Sequence, residues 1–136
     1  MKTIYIAAAA LTFFTFSQNA FADSSPHLGT AKEHCNNMVM AGENGIDHGG
    51  QGHTDVAVKH FKKMVKEGDE CLKHGQEALK TSGGGKEAID HVKEALMHAR
   101  EAVSHGEADH NNVMMDHGKE AMVHAKKGND QVKGMK

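Results

Sequence analysis

Twelve histidines stand at positions 27, 34, 48, 53, 60, 74, 91, 98, 105, 110, 117 and 124, and within each of four groups of three the neighbours lie seven or fourteen residues apart. Ala41 and Glu67 fill the two skipped slots. Seven residues are about 20° short of two helical turns, so this spacing draws one stripe down a helix. A strand would send successive histidines to opposite faces. With histidine at heptad position g, apolar residues fall at a, d and e: Cys35, Phe61 and Val92 at a; Met38, Met64, Ala95 and Ala121 at d; Val39, Val65, Leu96 and Met122 at e. A core stripe therefore carries histidines along its edge. The groups are copies of one unit, since Met38-Val39 and Gly42 follow His34 as Met64-Val65 and Gly68 follow His60.

Boundary signals divide the repeat into four helices. Ser25-Pro26 resembles an N-cap with proline at the first helical position, Thr54 can cap a second helix, and Thr81-Ser82-Gly83-Gly84-Gly85 separates it from a third. A short turn from His105 to Asp109 precedes the fourth. The pattern predicts helices near 26–44, 54–80, 86–106 and 110–128, followed by a flexible tail over 129–136. The first helix is the weakest on propensity, because Gly42, Gly45, Gly49, Gly50 and Gly52 would each cost about 1 kcal/mol in a helix interior. Short connections make sequential helices antiparallel neighbours, so the expected fold is all-α, an up-down antiparallel four-helix bundle over 23–128.

The N-terminus reads differently. Lys2, the apolar run Ile4 to Phe16 and Asn19-Ala20-Phe21-Ala22 have the form of a signal peptide over 1–22, with Asp23 as the mature start. The apolar run falls short of the ~20 residues that span a bilayer, which disfavours an uncleaved anchor. Export is therefore expected. Past Ala22 the chain keeps only Phe61 as an aromatic, so the core must be built from small aliphatic residues and methionine. It also keeps 15 basic against 18 acidic residues, which excludes a nucleic-acid footprint or a polybasic membrane patch. Once the signal is removed, metal ions are the expected partners, with neither nucleic acid nor membrane, and the protein is expected to be a monomer.

Histidine is a middling helix former, so surface propensity does not account for twelve on one register, whereas neutral imidazole is the commonest metal ligand. All twelve, His27, His34, His48, His53, His60, His74, His91, His98, His105, His110, His117 and His124, are therefore candidate metal ligands. Residues seven apart are ~10.5 Å apart along the axis, too far for consecutive stripe histidines to share an ion with bonds of ~2 Å. The intervening turn offers Glu94, Glu101 and Glu120, each three after one histidine and four before the next, and Met114 between His110 and His117. A neighbouring helix offers more. The pairs 91/124, 98/117 and 105/110 share one antiparallel register, their numbers adding to 215, while 27/74 and 48/53 share another at 101 that sets His34 against Glu67 and His60 against Ala41. Pairs 74/91 and 60/105 match equally well at 165, and a g stripe meets its like across only one neighbour, so both pairings stay open. Imidazole suits Cu, Ni, Zn and Fe, divalent copper binds tightest at such sites, and the methionines add a softer donor, although Met38, Met64 and Met122 read first as core.

Cys35 and Cys71 form neither a C-x-x-C nor a haem-attachment motif. Export favours a disulfide between them. In the register adding to 101, however, Cys71 lies five residues past the point opposite Cys35, an axial offset of ~7.5 Å that exceeds disulfide geometry. A bridge with a shifted register, two buried thiols and thiolate ligands all remain open.

The stretch Gly52-His53-Thr54-Asp55-Val56-Ala57-Val58-Lys59-His60 and the run from His91 to Ala102, His-Val-Lys-Glu-Ala-Leu-Met-His-Ala-Arg-Glu-Ala, resemble the repeats of the small metal-binding protein family. The resemblance covers about residues 51 to 128 and implies a periplasmic, histidine-rich four-helix bundle that binds divalent metals, copper especially, through the histidines from His53 to His124. The cysteines, the methionine content, the glycine-broken first helix and the residues Ala41 and Glu67 depart from that pattern. The expected function is non-catalytic buffering or sequestration of several divalent ions. Two other classes compete. A ferritin-like di-iron oxidase would need Glu-x-x-His motifs aimed into the core, where this chain has Val, Leu, Met and Ala. A pH-sensing or interaction bundle would use the histidine edge as a switch.

Overall fold

The computed structural model describes residues 25–82 and 84–136, excepting the side chain of Ser82. The expected signal segment, 1–22, lies outside them. Four helices follow one another: α1 (Pro26–Gly50), α2 (Thr54–Ser82), α3 (Lys86–Glu107) and α4 (Asn111–Gly134). Each packs on two neighbours, α1 on α2 and α4, α3 on α2 and α4, so the molecule is an antiparallel four-helix bundle. No described helix is long and apolar enough to cross a membrane.

The heptad assignment accounts for the core. Cys35, Phe61, Val92, Met38, Met64, Ala95 and Ala121 are all 0% exposed. Large and small residues interlock across the interior. A Cβ on Gly118 would meet the Phe61 ring at 2.5 Å, and one on Gly45 would meet it at 2.7 Å, so this ring sits between two glycines of different helices. Met38 and Leu96 fill the space over Gly68 in the same way. This packing corrects the expectation for α1, which runs unbroken through Gly50 rather than ending near residue 44. The glycines weaken the isolated helix, but Gly42, Gly45 and Gly49 each leave room for side chains of other helices, and burial outweighs propensity. Gly118→Ala is therefore expected to destabilise the fold by about 1–2 kcal/mol, overpacking against Phe61 exceeding the gain in helix propensity. A lowered urea midpoint would show it, and an unchanged or raised midpoint would mean that the ring simply tilts away.

The C-terminus also departs from expectation. Helix α4 continues to Gly134 instead of fraying after residue 128, because Asn129 and Val132 are buried and Lys32 Nζ donates to the Met135 carbonyl at 2.9 Å. Ser25 does not cap α1 with its hydroxyl, and its carbonyl instead accepts from Leu28 N–H at 2.7 Å.

The two hairpins, α1–α2 and α3–α4, are copies offset by 57 residues. His53 N–H donates to His48 O and His110 N–H to His105 O, each at 2.9 Å, and Ala57 and Met114 repeat the next bond to His53 and His110. At the left-handed position of this turn the first hairpin has Gly52, φ 81°, and the second has Asp109, φ 57°, a residue type that tolerates such a conformation better than most.

Cys35 and Cys71 are joined in a disulfide, with Cα atoms 5.0 Å apart and both residues fully buried. The predicted offset shrinks because the stripes interdigitate rather than stand face to face. His34 bonds to Glu67 yet stacks on His74, and His48 touches both His53 and His60, so facing numbers add to 101 and to 108 alternately. The level line runs midway, and the cysteines, adding to 106, lie within two residues or ~3 Å of it.

Candidate metal centre

Position g of every helix turns toward its hairpin partner, and position b turns toward its other neighbour. Lys62 and Glu107 (2.6 Å) and Arg100 and Asp69 (2.7 Å) meet at b across α2–α3, as Lys126 and Glu43 (3.0 Å) do across α1–α4. Exposed pairs of this kind contribute little stability. They do show which edges are closed to histidine, and the alternative register at 165 is not used. The registers at 215 and 101 both form.

On the α3–α4 edge, Nδ1 of His91 lies 3.4 Å from that of His124, His98 from His117 by the same distance, and His105 from His110 likewise. On the α1–α2 edge, His27 and His74 approach to 3.0 Å, His48 and His53 place their ring centroids 5.8 Å apart, and His48 stacks on His60 at 5.1 Å. His27, His53 and His110 are exposed and the other nine histidines are half-buried, so imidazole edges reach solvent while the rings rest on the core. Two nitrogens bound at ~2.0–2.1 Å in a tetrahedral site are about 3.3–3.4 Å apart. The three pairs on the second edge match that spacing.

Among the described residues, His98, Glu101 and His117 form a group of three donors able to hold one ion. Glu101 Oε2 lies 2.9 Å from His117 Nδ1 and 3.4 Å from His98 Nδ1. Two imidazoles and a carboxylate on one face leave the remaining coordination positions toward solvent, an arrangement suited to exchangeable divalent transition metals. The other predicted bridging residues behave differently. Glu94 and Glu120 are exposed and join no donor cluster among the described residues. Met114 is fully buried against the space over Gly106, as d-position packing requires, and is therefore core rather than a ligand.

Glu67 and Glu70 were not predicted as donors. Glu67 Oε2 lies 2.8 Å from His34 Nδ1, and Glu70 Oε2 lies 3.7 Å from His74 Nε2. Glu70 stands four residues before His74, the same spacing as Glu94 to His98, so its signal was present in the sequence. The His34 hydrogen bond, helped by Asn37, holds the Glu67 carboxyl below its ordinary value against the opposing effect of burial. Burial, with His48 and Lys63 nearby, lowers His60 below the ordinary 6.5. Glu77 is lowered by its bond from Lys80.

Residues 82–136 match the model of the small metal-binding protein (SMBP) family. The match spans the α3–α4 hairpin and its continuous histidine edge, and it is to the family that the run from His91 to Ala102 resembles. No curated protein and no solved structure matches the chain. The family match and the His98–Glu101–His117 group both support metal binding, with metal ions as partners.

Proposed function

We propose that this protein is a non-catalytic metal buffer that holds several divalent transition-metal ions along the two histidine edges of the bundle. The observation that carries the reading is the run of three successive cross-helix imidazole pairs at 3.4 Å, a spacing that fits two ligands of one ion. The assigned ligands are the twelve histidines with Glu101, and Glu67 joins His34 on the first edge. Copper leads the order, followed by nickel, zinc and iron, because divalent copper binds tightest to imidazole and carboxylate donors. Half-buried sites open to water favour exchange over permanent retention. The signal-like N-terminus supports a periplasmic location, where such a protein would sequester metal as a monomer.

A ferritin-like oxidase would carry its ligands inside the bundle, whereas the described core positions hold Phe61, methionines, valines, leucines and alanines. Calorimetric titration of the metal-stripped protein with Cu(II), Ni(II) and Zn(II) at pH 7.4 tests the buffer reading. Several binding events, the α3–α4 edge taking up to three ions, are expected. One binding event or none would overturn it, and a change of helical structure on acidification without metal would put a pH switch in its place.

A further inference from the structure

The two edges are built on one plan but differ in continuity. From His110 the rings of the α3–α4 edge run without a gap through His105, His117, His98 and His124 to His91, with centroid separations of 5.7, 5.3, 5.7, 5.9 and 5.6 Å. Each inner imidazole therefore has two neighbours, one in each of two adjacent pairs. His98, for example, belongs to a pair with His117 and to a pair with His124. On the α1–α2 edge the run breaks. His53, His48 and His60 make one segment, and Glu67, His34, His74 and His27 make another. Between them stands Ala41, which occupies in the first hairpin the place of His98 in the second, 57 residues on.

Adjacent pairs that share an imidazole are not independent sites. An ion held by His98 and His117 reaches the next pair in two steps: its bond to His117 breaks while His98 keeps it, with water in the open position, and a bond to His124 then forms, since His117 and His124 stand seven residues apart and cannot hold one ion together. Both exchanging imidazoles are neutral before and after, so no net proton is taken up or released. A carboxylate beside the middle pair, Glu101, offers a third bond while the two-imidazole set changes. We propose that the α3–α4 edge is one continuous exchange track along which a bound ion passes from pair to pair, whereas Ala41 divides the α1–α2 edge into two sites that do not exchange with each other. The proposal rests on the metal-binding reading above and adds to it a path for the ion.

Imidazole signals of the ¹⁵N-labelled protein, followed by nuclear magnetic resonance with half an equivalent of Zn(II) at pH 7.4, test it. All six imidazoles of the α3–α4 edge should report one shared exchange process. At micromolar protein that process should run at least about tenfold faster than transfer of the ion to an unlabelled, metal-free copy, because the next pair is held at a far higher effective concentration. H98A should split the edge into His91 with His124 and His105 with His110 and His117, and should slow exchange between the halves to the rate of transfer between molecules. A41H should join the two segments of the other edge. Separate, static signals for each pair, or exchange no faster than intermolecular transfer, would overturn the track while leaving metal binding intact. Imidazole signals that do not respond to Zn(II) on either edge would overturn the metal-binding reading itself.

Discussion

Lowering the pH from 7.4 to 5.5 is expected to weaken divalent metal binding at a paired-histidine site by about 100-fold, because each ligand must be neutral to bind. With an ordinary imidazole, about nine in ten side chains are neutral at the higher pH and about one in ten at the lower, and a pair multiplies the two losses. His60 departs from that ordinary behaviour. Its folded value is lowered by burial and by its His48 and Lys63 neighbours, so it stays neutral further into the acid range than an ordinary histidine. Protonation of His60 is favoured in the unfolded chain relative to the fold, so its burial is tolerated above pH 6.5 and opposes folding as pH falls below that value. Calorimetry at the two pH values, with imidazole titrations read by nuclear magnetic resonance, checks both statements. Affinity that is unchanged at pH 5.5 would mean that imidazoles are not the ligands, and a His60 titrating at or above the ordinary imidazole value would refute the second statement.

Replacing both cysteines with alanine is expected to lower the melting temperature of the metal-free protein by about 15 °C or more. The bridge closes a loop between residues 36 apart. Cross-linking a loop of that length stabilises the fold by ~4 kcal/mol in the chain-entropy account. The effect should be large here because, among the described residues, the core has Phe61 as its only buried aromatic and is otherwise filled by methionine and small aliphatic residues. Metal stoichiometry should persist in the C35A/C71A variant, since the sulfurs lie inside the bundle and the imidazoles along its edge. Scanning calorimetry of the two proteins decides it. A shift below about 4 °C, equivalent to 1 kcal/mol or less, would mean that the bridge does little to constrain the unfolded chain.

The heptad spacing of histidine was enough by itself to determine helices, a shared apolar stripe and a histidine edge, because a seven-residue repeat fixes angular position on a helix whatever surrounds it. It also offered the pairs 91/124, 98/117 and 105/110 as one of two registers, since short hairpin turns tie register to residue number, and these are the pairs that form. Propensity misjudged the first helix and the last turns of the fourth. The glycines of α1 and the end of α4 are held by contacts from other helices, which no local window contains. Methionine 114 looked like a ligand in one dimension because it lies between two histidines, yet position d turns it inward. Which neighbour each g stripe meets was decided only in three dimensions, by the direction in which one hairpin packs against the other. The opposite charges at b, Lys62 with Glu107 and Asp69 with Arg100, hinted at that choice, but exposed charges are too weakly coupled to dictate it. The disulfide and the interleaved imidazoles follow from the same cause, for two stripes packed ridge into groove settle half a step out of register, and residue numbers alone do not contain that half step.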